Sequence, residues 1–168
     1  MVAQAPKPCA PNGAAASDAQ ATRAIRRTLD TLYAAFSFKA GGAPNWTAMR
    51  ALFLPGAAFV NPVKPPAPPQ AISAEQFLVN FRQWVEETPK GKAGFRERIV
   101  MARVDHFGHV AHAYVTFEGF LPGKAAAEER GLDSIQLVLD GGSWKVASFT
   151  TQYAQPNLEM PTRFGGRR

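Results

Sequence analysis

The chain has 168 residues, enough for one domain with a sizeable core, and its 46% hydrophobic and 19% charged residues exclude a disordered polymer. Net charge is +6, yet the excess is dispersed: Arg163, Arg167 and Arg168 sit in the tail and the other cations are interleaved with acids, so no basic stripe for nucleic acid emerges. No apolar run approaches the ~20 residues of a membrane span, and the single cysteine, Cys9, excludes an internal disulfide and offers no thiolate metal site.

Residues 1–17 are rich in Ala and Pro without periodicity and read as a disordered leader. The leader lacks the apolar stretch of a signal peptide. It fits either a mature exported protein whose signal has been removed or a cytoplasmic protein with a loose N-terminus. Ser17-Asp18 then caps a predicted amphipathic helix with Ile25, Leu29, Leu32, Tyr33 and Phe36 on one face, ended by Gly41-Gly42. Asn45 caps a short second helix whose buried stripe is Trp46, Met49, Leu52 and Phe53, stopped by Pro55-Gly56; Ala57 to Val60 reads as a brief strand. Residues 63–70, VKPPAPPQ, are too proline-rich for regular structure and read as a stiff surface loop, either a connector or a lid at a cavity mouth. Ser73 with Gln76 forms a capping-box pattern for a third helix, which carries Phe77, Leu78, Phe81, Trp84 and Val85 on one face and ends at Thr88-Pro89.

From Gly94 the period changes to two. Phe95 to Phe107 and His109 to Phe120 are long strands about a turn at Gly108, and residues 121–130 are a polar connection. Gly131 to Tyr153 alternates on both sides of Asp140-Gly141-Gly142-Ser143, the pattern of a hairpin with a tight turn. Strict alternation puts Ala111, Ala113, Val115, Phe117, Ile135, Leu137, Leu139, Ala147, Phe149, Thr151 and Tyr153 on an inner face; Val110, Tyr114, Val138, Trp144 and Val146 fall outside. The domain is expected over 18–155, with 156–168 a flexible tail. Helices first and long strands after them give an α+β fold, with three N-terminal helices packed on a strongly curved, mainly antiparallel sheet.

The strings TLYAAF, WTAMRALFLPGAAFVNP, SAEQFLVNFRQW, HVAHAYVTFE and RGLDSIQLVLDGGSWKVASF, in this order over residues 20–155, resemble the nuclear transport factor 2-like superfamily, which includes the SnoaL-like polyketide cyclases, ketosteroid isomerase and scytalone dehydratase. The resemblance implies a cone with an internal pocket, and a homodimer through the outer sheet face. It also implies ligand contacts at Tyr33, Trp46, Asn61, Phe77, Phe81, Trp84, Phe117, Phe149, Thr151 and Tyr153, an aromatic lining for a small hydrophobic molecule unless the same side chains simply fill a core.

The resemblance does not carry over a mechanism. Ketosteroid isomerase works with an Asp base and a Tyr/Asp oxyanion hole. The base position falls at Asn61 and the second acid at Ile135 or Ser134, while Tyr33 lies close to the tyrosine of the first helix. His106, His109, His112, Asp105, Glu118 and Asp133 remain for acid–base work, and none is assigned a catalytic role. Their spacing suggests no metal site and no cofactor. Two readings follow: a small-molecule-binding SnoaL-like protein acting as a lyase, isomerase or hydrolase, and a non-enzymatic module that dimerises or binds another protein.

Overall fold

The computed structural model describes residues 17–60 and 68–165. Helix α1, Asp18–Phe36, starts where the Ser17 hydroxyl accepts a hydrogen bond from the Gln20 amide at 3.4 Å. Its periodic Ile25, Leu29 and Leu32 are fully buried, each such side chain contributing about 1.5–3 kcal/mol by leaving water. Helix α2, Trp46–Ala51, is capped by Asn45, whose Oδ1 accepts from the Ala48 amide at 3.0 Å. Helix α3, Ala74–Glu87, is capped by Ser73 Oγ, which accepts from the Gln76 amide at 3.1 Å, and Gln76 Nε2 donates to Asn80 Oδ1 one turn on at 2.8 Å. A further turn, α4 at Pro89–Ala93, follows α3 directly; the Thr88 hydroxyl caps it and proline occupies its first turn, where no amide hydrogen is needed.

Six strands form one sheet: β1 (Phe53–Val60), β2 (Ala71–Ser73), β3 (Arg96–Phe107), β4 (Val110–Phe120), β5 (Glu129–Asp140) and β6 (Ser143–Tyr153). The order is β2-β1-β6-β5-β4-β3, with every neighbour antiparallel except β1 and β6. This is the expected α+β arrangement of helices against a mainly antiparallel sheet, with α1 packed across β3 and β6 and α3 across β1.

Two local expectations are corrected. Phe53 belongs to β1 rather than to the stripe of α2: it pairs with Val146, whose amide donates to the Leu52 carbonyl at 2.8 Å, so sheet pairing overrides helical spacing. In β6 the partners run Leu137↔Val146 and then Gln136↔Ser148, leaving Ala147 as a bulge. The bulge reverses the faces before it, so Val146 (0% exposed) and Trp144 (5%) are core residues while Ala147 turns to the outer groove beside Val138. Within residues 156–168, a 3-10 turn at Thr162–Phe164 is seated on the outer sheet face. There the Thr116 hydroxyl donates to the Phe164 carbonyl at 2.7 Å, Arg130 donates to the Gly165 carbonyl at 2.6 Å, and the Phe164 ring lies 5.1 Å from that of Tyr114.

Candidate functional site

Between the helices and the inner sheet face lies a cavity of about 400 Å³. One wall is a continuous run of aromatic rings. Phe149 stacks on Phe59 at 5.1 Å, Phe59 on Phe77 at 4.1 Å, Phe77 on Phe81 at 5.9 Å and Phe81 on Trp84 at 5.8 Å. These rings come from β6, β1 and α3, whose apolar faces meet there.

The opposite wall follows from strand register. Glu97, Gly119 and Glu129 form one row across β3, β4 and β5; Ile99, Phe117, Gly131 and Tyr153 form the next; Val115, Asp133 and Thr151 the third. Glycine in the first two rows lets neighbouring side chains lie directly on the backbone of the wall. A Cβ on Gly119 would stand 2.6 Å from Phe95 Cζ and 2.7 Å from Glu129 Cγ, and one on Gly131 would stand 2.5 Å from Phe117 Cε1.

Into this apolar space the sheet directs three carboxyl groups, Glu97, Glu129 and Asp133. Asp133 is 2% exposed. Tyr33 Oη donates to its Oδ2, and Thr151 Oγ1 donates to its Oδ1 at 2.7 Å. Burial pushes the Asp133 carboxyl up to about 7, against the pull of those two hydrogen bonds and with help from the charge of Glu129. Burial, and then the charges of Asp133 and Glu129, hold Glu97 well above the usual carboxylate range. The Tyr33 and Tyr153 phenols are raised too, chiefly by burial, so both stay protonated and able to donate at neutral pH. Lys90 of α4 and Glu128 also line the cavity and form an ion pair with each other, both partly exposed.

Of the residues named from the sequence, Phe77, Phe81, Trp84, Phe117, Phe149, Thr151 and Tyr153 line the cavity. Tyr33 is buried behind Asp133, and Trp46 packs edge-on against Phe81 at 5.6 Å with Arg82 over its ring. Asn61 and most of the proline-rich loop lie outside the described residues. The resemblance puts the position of the second acid at Ile135 or Ser134. Ile135 is packed in the core, but Asp133, two residues earlier on the same face, carries the carboxyl and meets the first-helix tyrosine. Parity with Ile135 and Leu137 was the available signal. Glu97 and Glu129 were not singled out, because only the pairing of the strands sets them on either side of Gly119 in one row of the cavity wall.

The remaining candidates lie away from the cavity. His112 Nε2 is 2.9 Å from Ser134 Oγ, His106 Nε2 is 3.2 Å from the Asp18 carbonyl oxygen, and Glu118 pairs with Arg98 at 2.5 Å. The Arg96 and Arg98 guanidiniums lie over the Phe120 ring. Among the described residues no group of three or more His, Cys, Asp or Glu is placed to hold a metal ion, and no helix is long and apolar enough to cross a membrane.

Solved structures share this architecture. A nuclear transport factor 2-like protein of unknown function from Shewanella baltica OS155 superimposes with a TM-score of 0.61 at 18% identity, covering 83% of this chain and 98% of its own. A cystatin-like-fold protein of unknown function from Nostoc punctiforme PCC 73102 gives 0.65 at 11% identity, covering 84% and 96%. A nuclear transport factor 2-like protein from Streptomyces avermitilis, proposed to be a dehydratase, gives 0.65 at 12% identity, covering 83% and 99%. No protein-family model and no curated protein sequence matches the chain. The chain therefore has the nuclear transport factor 2-like, cystatin-like cone fold, and at these identities the likeness speaks to fold alone.

Proposed function

We propose that the cavity binds a small, largely apolar molecule and that the protein moves a proton on it, as a lyase, isomerase or hydrolase does. The observation that carries this reading is Asp133: a carboxyl on the wall of an aromatic cavity, held by Tyr33 and Thr151 and titrating near neutral pH. Each carboxylate oxygen retains a second lone pair beyond the one used by its donor, so Asp133 can still take a proton from a ligand. Glu97, whose proton affinity burial raises, can return one. Such a pair suits elimination or isomerisation, and the Streptomyces neighbour is proposed to be a dehydratase.

A screen of apolar small molecules by thermal shift tests the reading. Binding to the native state raises the melting temperature in proportion to ln(1 + [L]/Kd), and Asp133→Asn should retain binding while abolishing turnover of any substrate found. A broad library that shifts nothing would remove the proposal.

Self-association is the second reading. Phe107 (86% exposed) and Val110 (56%) stand at the end of the β3–β4 hairpin beside an outer groove that also includes Val138, an apolar surface of the kind that meets another protein. With Trp144 and Val146 turned inward and the Thr162–Phe164 turn seated on the same face, the surface left for a second copy is smaller than strict alternation suggested. Light scattering at micromolar concentration decides it: a monomer would remove the dimer.

A further inference from the structure

The acids of this chain are unevenly placed. Of its 13 Asp and Glu residues, in a protein of net charge +6, four line the one cavity: Glu97, Glu128, Glu129 and Asp133. The lining cation among the described residues is Lys90, and its ammonium is engaged by Glu128. Asp133 is satisfied by two neutral hydroxyls, which position the carboxylate without neutralising it. Burial and the charges of Asp133 and Glu129 set the proton affinity of the Glu97 carboxyl. It is half-buried and lines the cavity.

Resting on the reading that the cavity binds a small molecule, we infer that its ligand carries a protonated amine on an aromatic or alicyclic body, with the amine directed at Glu97 and Asp133 and the ring laid on the stack of Phe59, Phe77 and Phe81. The two halves of such a molecule match the two walls. Aromatic faces attract both a ring and a cation, and an ammonium supplies the counter-charge that a carboxylate in an apolar space otherwise lacks. A cavity of about 400 Å³ accommodates a body of one or two rings. Protons that the carboxyl groups share in the empty cavity are released when the ammonium enters, so binding tightens as pH rises through about 7, the Asp133 midpoint.

The experiment compares 2-naphthylmethylamine with 2-naphthylmethanol, equal in shape and differing in charge, by titration calorimetry of the full chain in two buffers of different ionisation enthalpy. The expected result is at least about tenfold tighter binding of the amine, with proton release. Glu97→Gln should erase the preference and Glu118→Gln, on the outer face, should leave it intact. The comparison of the two probes on the unmodified protein stands even where a variant fails to fold. Equal binding of amine and alcohol overturns the amine assignment and leaves the cavity reading in place. Failure of both probes, while a neutral ligand from the thermal screen binds, overturns it too. Failure of every ligand removes the cavity reading beneath it.

Discussion

The phenol of Tyr33, in the middle of α1, donates to Oδ2 of Asp133 on β5, joining two buried side chains that stand 100 residues apart in the chain. The contact ties the helical layer to the sheet at the cavity wall and fixes which carboxylate oxygens remain available to a ligand. Tyr33→Phe keeps the ring, which packs against Phe36 and Phe117, and deletes only the donor. The expected loss is about 1.5–3 kcal/mol at neutral pH, the value of a hydrogen bond to a charged group, measured by urea unfolding. Because this hydrogen bond lowers the Asp133 pKa, its removal should also move that midpoint above 7.

Stability should fall as pH rises toward neutrality. Asp133 titrates at about 7 in the folded chain and near 3.8 when exposed, so between those values the folded state binds more protons than the unfolded state. The protonated form's contribution is complete below the unfolded value and is lost as pH rises through the folded one. Glu97 acts in the same direction. Asp133→Asn should flatten the slope between about pH 4 and 7, which chemical denaturation at a series of pH values reads directly. Glu75 and Glu128, lowered by Arg50 and Lys90, act with the opposite sign at more acid pH, and their exposure to solvent keeps them weak.

The bulge at Ala147 makes a discriminating pair of substitutions. Trp144→Ala removes a core side chain and should cost about 3–5 kcal/mol, whereas Ala147→Ser, beside the outer groove, should change stability by less than about 0.5 kcal/mol. Strict alternation along β6 would reverse the two.

Gly119→Ala probes the close packing of Phe95 and Glu129 on the sheet. Its Cβ would meet Phe95 and Glu129 at under 3 Å, and overpacking of this kind costs about 1–3 kcal/mol. Ligand binding should weaken along with stability, since the same methyl displaces Phe95 and Glu129, both of which line the cavity; an alanine variant of native stability and unchanged affinity would show that neither side chain is held there.

Much of this was legible in the sequence, and the limits are physical. Alternation over Gly131 to Tyr153 shows the hairpin, since a half-buried strand must alternate, but a bulge is set by pairing with neighbours and leaves no mark in one strand, which is why Val146 and Ala147 exchanged faces. Phe53 fits helical spacing and strand alternation equally, and only its parallel partner on β6 decides between them. The aromatic wall was readable because bulky residues recur on one face of α3. Glu97 and Glu129 were not, because a charged residue on a strand ordinarily faces water, and only the register that sets them on either side of Gly119 turns them inward. The Thr162–Phe164 turn is held by a hydroxyl, a guanidinium and one ring contact, none of which has a periodicity to detect.

The central claim is that the cavity wall carries a carboxyl group poised to exchange a proton at neutral pH. Its most direct measurement is an NMR titration of the Asp133 side-chain carboxyl carbon in the ligand-free protein, assigned by comparison with Asp133→Asn. The account predicts a midpoint at about 7. A midpoint in the ordinary carboxylate range, near 4, would contradict it, leaving a residue that ties α1 to the sheet and takes no part in proton transfer.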